Sequence, residues 1–228
     1  MKVLLFDIDG TLMKAGGASF GAMDEAIERR LGIRNATEGI IPHGKTDPLI
    51  LSEILCKIGV DAVERPSLLA RLAGDYERLL ATRMHTAPAT LLPGVRRLLD
   101  ALSARPDLLL GLVTGNFERA ARIKLARFDL NGYFPFGAFG SDSEQRVALP
   151  AIAIARAETV TGTPIALGRH ISVIGDTPRD VECALANGAT AVGVATGGAT
   201  ADELHRAGAH SVFLDFSDTA DVIASLIG

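Results

Sequence analysis

Tryptophan is absent from this chain of 228 residues, and only two tyrosines occur. Binding that stacks bases or sugar rings against broad aromatic faces is therefore not expected. Cysteine is scarce: Cys56 and Cys183 stand far apart, each in a helix-like context, and no C-x-x-C spacing occurs. They read as two small buried apolar residues in a reducing compartment, not as a disulfide or a metal pair. No apolar run approaches the roughly 20 residues of a membrane-spanning helix. The four apolar residues before Asp7 are too few for the core of a secretion signal. A basic stripe is also missing. The net charge is −4 with both signs mixed along the chain, which argues against nucleic acid or a membrane surface as a partner. The expectation is a soluble cytoplasmic protein.

What the chain has in quantity is aliphatic residue: 48 % is hydrophobic, enough to fill the core of one large domain or of one domain with an insert. Short apolar runs at 3–6, 108–113, 171–174, 191–194 and 211–214 read as buried strands. Helical patterns separate the later ones, at about 117–128, 146–160, 178–187, 200–208 and 217–227. This alternation predicts an α/β fold, a doubly wound Rossmann-like parallel sheet, with ligands at the carboxyl ends of its strands. Residues 15–90 break the pattern. Phe20, Met23, Ile27 and Leu31 share one helical face, a second helix ends at Gly59 as a C-capping glycine, and a third follows Pro66. With no strand expected there, the chain divides into a core of 1–14 plus 91–228 and an inserted α-helical cap of 15–90.

The segment GIIPHGKT, Gly39–Thr46, fits the phosphate-cradling pattern G-x-x-x-x-G-K-[ST] letter for letter. A true P-loop follows a buried strand, whereas the preceding RNATE is polar, and Pro42 removes a backbone donor from the cradle. A nucleotide-binding protein using Gly39–Thr46 remains an alternative; a chance match is the plainer reading.

A stronger signal lies in LLFDIDGTL. Strand periodicity puts Asp7 and Asp9 on the same side where the apolar run stops. Two carboxylates so close repel unless a cation or a shared proton stabilises them. A second strand ends in Thr114-Gly115-Asn116, small polar groups suited to a phosphate oxygen, although such a triplet also makes an ordinary turn. A third ends in Gly175 and Asp176, followed by Asp180 in the first turn of a helix, where the helix dipole favours negative charge. The plainer alternative is that Asp176 simply caps the helix, with Pro178 in its first turn. All three strands would deliver their polar ends to one rim of the sheet.

DIDGT, TGN and GDTPRD, in this order on strand ends, resemble motifs one, two and four of the haloacid dehalogenase-like superfamily, and the helical insert after the first motif is similar to that family's α-helical cap. The likeness spans nearly the whole chain and is strongest to the phosphoglycolate phosphatase-like branch. It implies Asp7 as a nucleophile that forms an aspartyl-phosphate, and Asp9 as the acid that protonates the leaving group and then the base that activates water. It implies Mg2+ held by Asp7, the Asp9 carbonyl and Asp176, with Asp180 as a further ligand or a supporting residue. Thr114 and the Gly115 or Asn116 amides would hold a phosphoryl oxygen. Dehalogenases of the superfamily lack an acid at the position of Asp9, so its presence favours phosphoryl transfer.

The family's third motif, usually a lysine, is not obvious. Lys124 lies on an intervening helix, and Arg146 is the better candidate, placed by a Ser141-x-x-Glu144 capping-box pattern in the first turn of a helix. GKTD resembles a stretch in phosphoglycolate phosphatase-like caps, which implies that Lys45 and Thr46 touch a charged group of the substrate. The five histidines show no metal spacing and read as surface or strand-edge residues; GVATGGAT reads as a flexible loop near the site. The function expected is a Mg2+-dependent phosphatase acting on a small phosphorylated metabolite such as phosphoglycolate. A sugar-phosphate mutase of the same superfamily is the alternative nearest to it.

Overall fold

The computed structural model describes all 228 residues. Its elements run β1 (Lys2–Phe6), β2 (Met13–Lys14), α1 (Ala18–Leu31), α2 (Asp47–Lys57), α3 (Arg65–Met84), β3 (Thr90–Leu91), α4 (Val95–Ser103), β4 (Leu108–Val113), α5 (Glu118–Ala126), β5 (Phe136–Ala138), α6 (Leu149–Thr161), β6 (Ile171–Gly175), α7 (Pro178–Ala186), β7 (Thr190–Val194), α8 (Ala201–Arg206), β8 (Ser211–Phe213) and α9 (Thr219–Ile227). Six strands form one parallel sheet in the order β5-β4-β1-β6-β7-β8. The fold is α/β, Rossmann-like, with helices on both faces.

The parity of β1 organises the two faces. Successive side chains of a strand point to opposite sides. Val3 and Leu5 accordingly join Leu149, Ala153 and Ile154 of α6 and Val181 of α7 in one apolar cluster. Leu4 and Phe6 join Leu98 and Leu99 of α4, Leu125 of α5 and Val222 of α9 in the other. Because β1 is flanked by β4 and β6, the chain turns away from it in both directions, and the carboxyl end of β1 lies at the switch point of the sheet.

All of α1–α3 lies between β2 and β3, which pair antiparallel with Met13 opposite Leu91 and Lys14 opposite Thr90. The chain therefore leaves and re-enters the α/β layer through adjacent strands. Met23 and Ile27 of α1 and Leu72, Tyr76 and Leu80 of α3 are buried in the same cluster as Phe6 and Leu12, so one apolar core runs from the sheet into the helical layer.

Several expectations need correcting. Thr90, expected in a strand-free interval, is in β3. The sequence reading places no helix between Leu91 and β4, yet Val95, Leu98, Leu99 and Leu102 form a buried stripe at helical spacing on α4. Its start was obscured by Pro93-Gly94; Gly94 has φ +77°, and a Cβ there would lie 1.8 Å from the Phe216 carbonyl oxygen. Cys56 is exposed, whereas Cys183 is buried as expected. The Ser141–Glu144 capping box does not form. Ser141 Oγ instead accepts from the Glu118 amide at the start of α5 (3.3 Å), and Arg146 opens a single 3-10 turn ahead of α6.

Leu98 is fully buried, while Val63 is 87 % exposed. Leu98→Ala is expected to cost about 2–5 kcal/mol, and Val63→Ala less than about 0.5 kcal/mol. Urea unfolding midpoints with unchanged m values check both.

Candidate active site

The sheet delivers its polar residues to one rim, as the strand-end pattern predicts. Asp7 follows β1 directly, its amide donating to the Ile174 carbonyl (2.9 Å), so the ladder with β6 continues one residue past the strand. Thr114 follows β4, Asp176 follows β6, and the Gly197-Gly198 loop follows β7. Together with residues of the helical layer they line a cavity of about 580 Å³.

Asp7, Asp176 and Asp180 are all buried, and one carboxylate oxygen from each lies within 4.8 Å of the others. Arg146 is the cation that meets them: its Nη2 is 2.9 Å from Asp7 Oδ1 and also donates to Asp180 Oδ1. Burial disfavours the Arg146 charge, but Asp180 and Asp7 more than offset this and hold its pKa above the ordinary range. Asp180 is heavily used elsewhere. Its Oδ2 accepts from the Thr177 amide (3.0 Å) and the Thr177 hydroxyl (2.7 Å) at the start of α7.

Asp176 is enclosed by glycine. Its Oδ2 accepts from the Gly198 amide at 2.8 Å, and a Cβ on Gly197 would lie 1.7 Å from that same oxygen. The glycine-rich loop, expected near the site, is a close-fitting wall of it. One guanidinium faces three buried carboxylates, and the acids respond. Burial raises the Asp7 pKa to about 6, with Arg146 opposing and the neighbouring carboxylates adding. Burial, then Asp180 and Asp7, raise Asp176 to about 8. An all-oxygen, charge-deficient donor set of this kind fits a hard divalent cation.

Asp9 is directed differently. Its carboxylate is not part of the trio: Oδ2 accepts from Lys124 Nζ (2.6 Å) and Asn116 Nδ2 (2.8 Å), with the side chain 42 % exposed. Asn116 Nδ2 also donates to Thr114 Oγ1 (2.7 Å), and its Oδ1 accepts from Lys124. Lys124, which sequence reasoning set aside in favour of Arg146, is thus a site residue. Both cations reach the rim, Arg146 at the trio and Lys124 at Asp9. The signal was present: Ala120, Ala121, Lys124 and Leu125 share the buried face of α5, and a lysine on an apolar face needs a partner.

The GKT segment comes down on the same rim but is not a P-loop. The chain runs into Gly39 through a turn at 36–39 in place of a strand. One amide of the would-be cradle is already used, Lys45 N–H by the Pro42 carbonyl (2.9 Å), and the next residue after the motif, Asp47, donates its N–H to the Gly115 carbonyl (2.7 Å). Lys45 lines the cavity but its Nζ pairs with Glu53 at 2.5 Å. Thr46 does not line it. Its hydroxyl caps α2 by accepting from the Leu49 amide and donates to the Glu144 carbonyl (3.3 Å). His43 is exposed, as expected of a surface residue, and it also lines the cavity, as does Lys14. The spacing of a lone histidine in a loop carried no signal for this.

A family model for haloacid dehalogenase-like hydrolases matches residues 4–185. The chain belongs to that family. No curated protein sequence matches it. Among solved structures, this haloacid dehalogenase-like hydrolase resembles a hydrolase from Pseudomonas syringae (24 % identity, 99 % of each chain covered, TM-score 0.71). It also resembles a predicted phosphoglycolate phosphatase from Haemophilus somnus (19 %, 98 % of each chain, 0.73). A Thermotoga maritima protein described provisionally as a β-phosphoglucomutase shares the fold as well (21 %, 99 % of this chain and all of the other, 0.62). No helix is long and apolar enough to cross a membrane.

Asp7 and Asp176 hold their protons more tightly in the folded chain than at the ordinary aspartate value of 3.8. As pH rises through 6 and 8 the native state therefore binds more protons than the unfolded state, and stability falls. The melting temperature of the metal-stripped hydrolase is expected to drop from pH 5 to pH 8 at constant ionic strength, and Asp176→Asn to flatten that slope. A profile that rises over this window contradicts the assignment.

Proposed function

We propose that this chain is a metal-dependent phosphomonoesterase that works through a phosphorylated Asp7. The observation that carries the reading is the division of labour between two aspartates two residues apart. Asp7 sits buried in the carboxylate trio, while Asp9 turns its half-exposed carboxylate to the cavity beside Lys124. A nucleophile and a separate proton-transfer group are what hydrolysis of a phosphate ester with a basic leaving group requires.

In this reading a carboxylate oxygen of Asp7 attacks phosphorus and the ester oxygen departs, taking a proton from Asp9. Asp9 then accepts a proton from the water that cleaves the acyl phosphate. Burial opposes ionisation of Asp7 and Arg146 favours it; a divalent cation beside it would favour the ionised, nucleophilic form further. Thr114, Gly115 and Asn116 supply donors to the phosphoryl oxygens at the end of β4. Arg146 offsets charge beside Asp7, and Asp180 holds Arg146 and the start of α7 in place.

Mg2+ is the cation we assign to Asp7, Asp176 and the main-chain carbonyl of Asp9, where it would neutralise charge developing on the transferring group. The helical layer from residue 15 to 90 is assigned as a cap over residues 1–14 and 91–228. It contributes Phe20, Met23 and Ile50 to the cavity lining, and its closure over a substrate would exclude water. The substrate class is a small phosphorylated metabolite, phosphoglycolate being the first candidate. A cavity of about 580 Å³ has room for a larger sugar phosphate, and the mutase relative shares the fold. Feeding a sugar bisphosphate and looking for the isomerised monophosphate rather than free phosphate separates the two outcomes.

The direct test is p-nitrophenyl phosphate turnover with Mg2+, after chelation, and in Asp7→Asn. Activity that needs the metal and is abolished by the substitution is expected. Asp9→Asn should slow hydrolysis of an unactivated ester by about 10²–10⁴-fold. Turnover indifferent to Asp7 would falsify the mechanism.

A further inference from the structure

The first residue of α2, Asp47, has no part in the chemistry above, yet it is a buried carboxylate that touches the catalytic loop twice. Its amide donates to the Gly115 carbonyl at 2.7 Å, and its Oδ2 accepts from the Phe117 amide at 2.9 Å. Phe117 is the N-cap of α5, and its own side chain makes no capping hydrogen bond. The first amides of a helix lack partners within it, and a negative charge there is favourable. Asp47 therefore caps α5 from a different helix, one that belongs to the inserted layer.

The contact is closely fitted around this bridge. A Cβ on Gly115 would lie 2.2 Å from the Lys45 carbonyl oxygen, so the two loops pass in direct backbone contact. From α3 the Tyr76 ring packs on the Phe117 ring, with centroids 6.2 Å apart. Phe117 is thus gripped by two helices of the insert. Between the residues that Asp47 pins, Gly115 and Phe117, stands Asn116, the amide donor to Asp9. Burying a carboxylate is costly unless it is bonded or countered; here the Phe117 amide bonds it and Lys124, the ion-pair partner of Asp9, offsets its charge.

We propose that Asp47 is a positioning residue through which the helical insert sets the proton-transfer geometry of Asp9, by fixing Asn116 between two backbone anchors. The proposal rests on the phosphomonoesterase reading and on the role given there to Asp9. It predicts a defect that grows with the need for a proton on the leaving group. p-Nitrophenolate departs readily as an anion, whereas phenolate, nearly the same in shape, gains more from protonation.

The experiment compares kcat of the Mg2+-loaded enzyme on p-nitrophenyl phosphate and phenyl phosphate. Relative to wild type, Asp47→Ala should lose about tenfold more on phenyl phosphate, the equivalent of one hydrogen bond. Asp47→Asn keeps an oxygen to accept from Phe117 and should restore most of the ratio. In an Asn116→Ala background, Asp47→Ala should no longer change it. If the alanine variant does not fold, Asp47→Ser, too short to reach the amide, is read in the same way. An equal loss on both esters makes Asp47 a structural residue only and overturns the proposal, as does an unchanged ratio. Absence of wild-type turnover on either ester counts instead against the phosphomonoesterase reading.

Discussion

The rest of the site depends on how three buried carboxylates are kept together. Asp7, Asp176 and Asp180 come from the ends of β1 and β6 and the first turn of α7, and like charges at this spacing repel strongly away from water. Arg146 is the protein's own answer, shared between Asp7 and Asp180. Its answer is incomplete, since Asp176 is still pushed to about 8. The surrounding features follow from that deficit. The Gly198 amide is aimed at Asp176, glycines stand where side chains would collide with it, and Asp180 is tied down by Thr177. A site built in this way is electrostatically unfinished until positive charge arrives, which is a useful property for one that handles phosphate.

Much of the architecture was legible because a parallel sheet announces itself. Strands buried on both faces read as unbroken aliphatic runs, and LLLGLV and ISVIG stand out against their surroundings. The acids that follow them identify the rim. Boundaries set by tertiary contact were harder to read. Ser141 and Glu144 have the spacing of a capping box, but Ser141 is taken by the start of α5, a partner distant in sequence. The short strands β2 and β3 have two residues each and no pattern of their own; they exist because they meet.

Among site residues, the letters of the motif carried Asp7, Asp9 and Asp176, whereas Lys124 required asking which face of α5 it occupies. Lys45 is a different case. A lysine in a phosphate-like motif was expected to face a ligand; it lines the cavity, and its ammonium there pairs with Glu53 of α2. Sequence spacing identifies who is near the rim. It does not reveal which charges are already spoken for.

The antiparallel meeting of Met13–Lys14 with Thr90–Leu91 has a consequence for how such a chain can change. Because the exit and re-entry points are already side by side, everything between them is, to the sheet, a closed loop. Each doubling of a flexible loop's length costs only roughly 0.6 kcal/mol in closure entropy. A one-residue slip in β1, by contrast, would exchange the side chains fitted to its two apolar clusters and shift Asp7 along the rim, out of register with β6. The molecule thus joins a part that tolerates almost no rearrangement, the rim that gathers the carboxylates, to a part that can be lengthened or exchanged at little thermodynamic expense, the helical layer that completes the cavity.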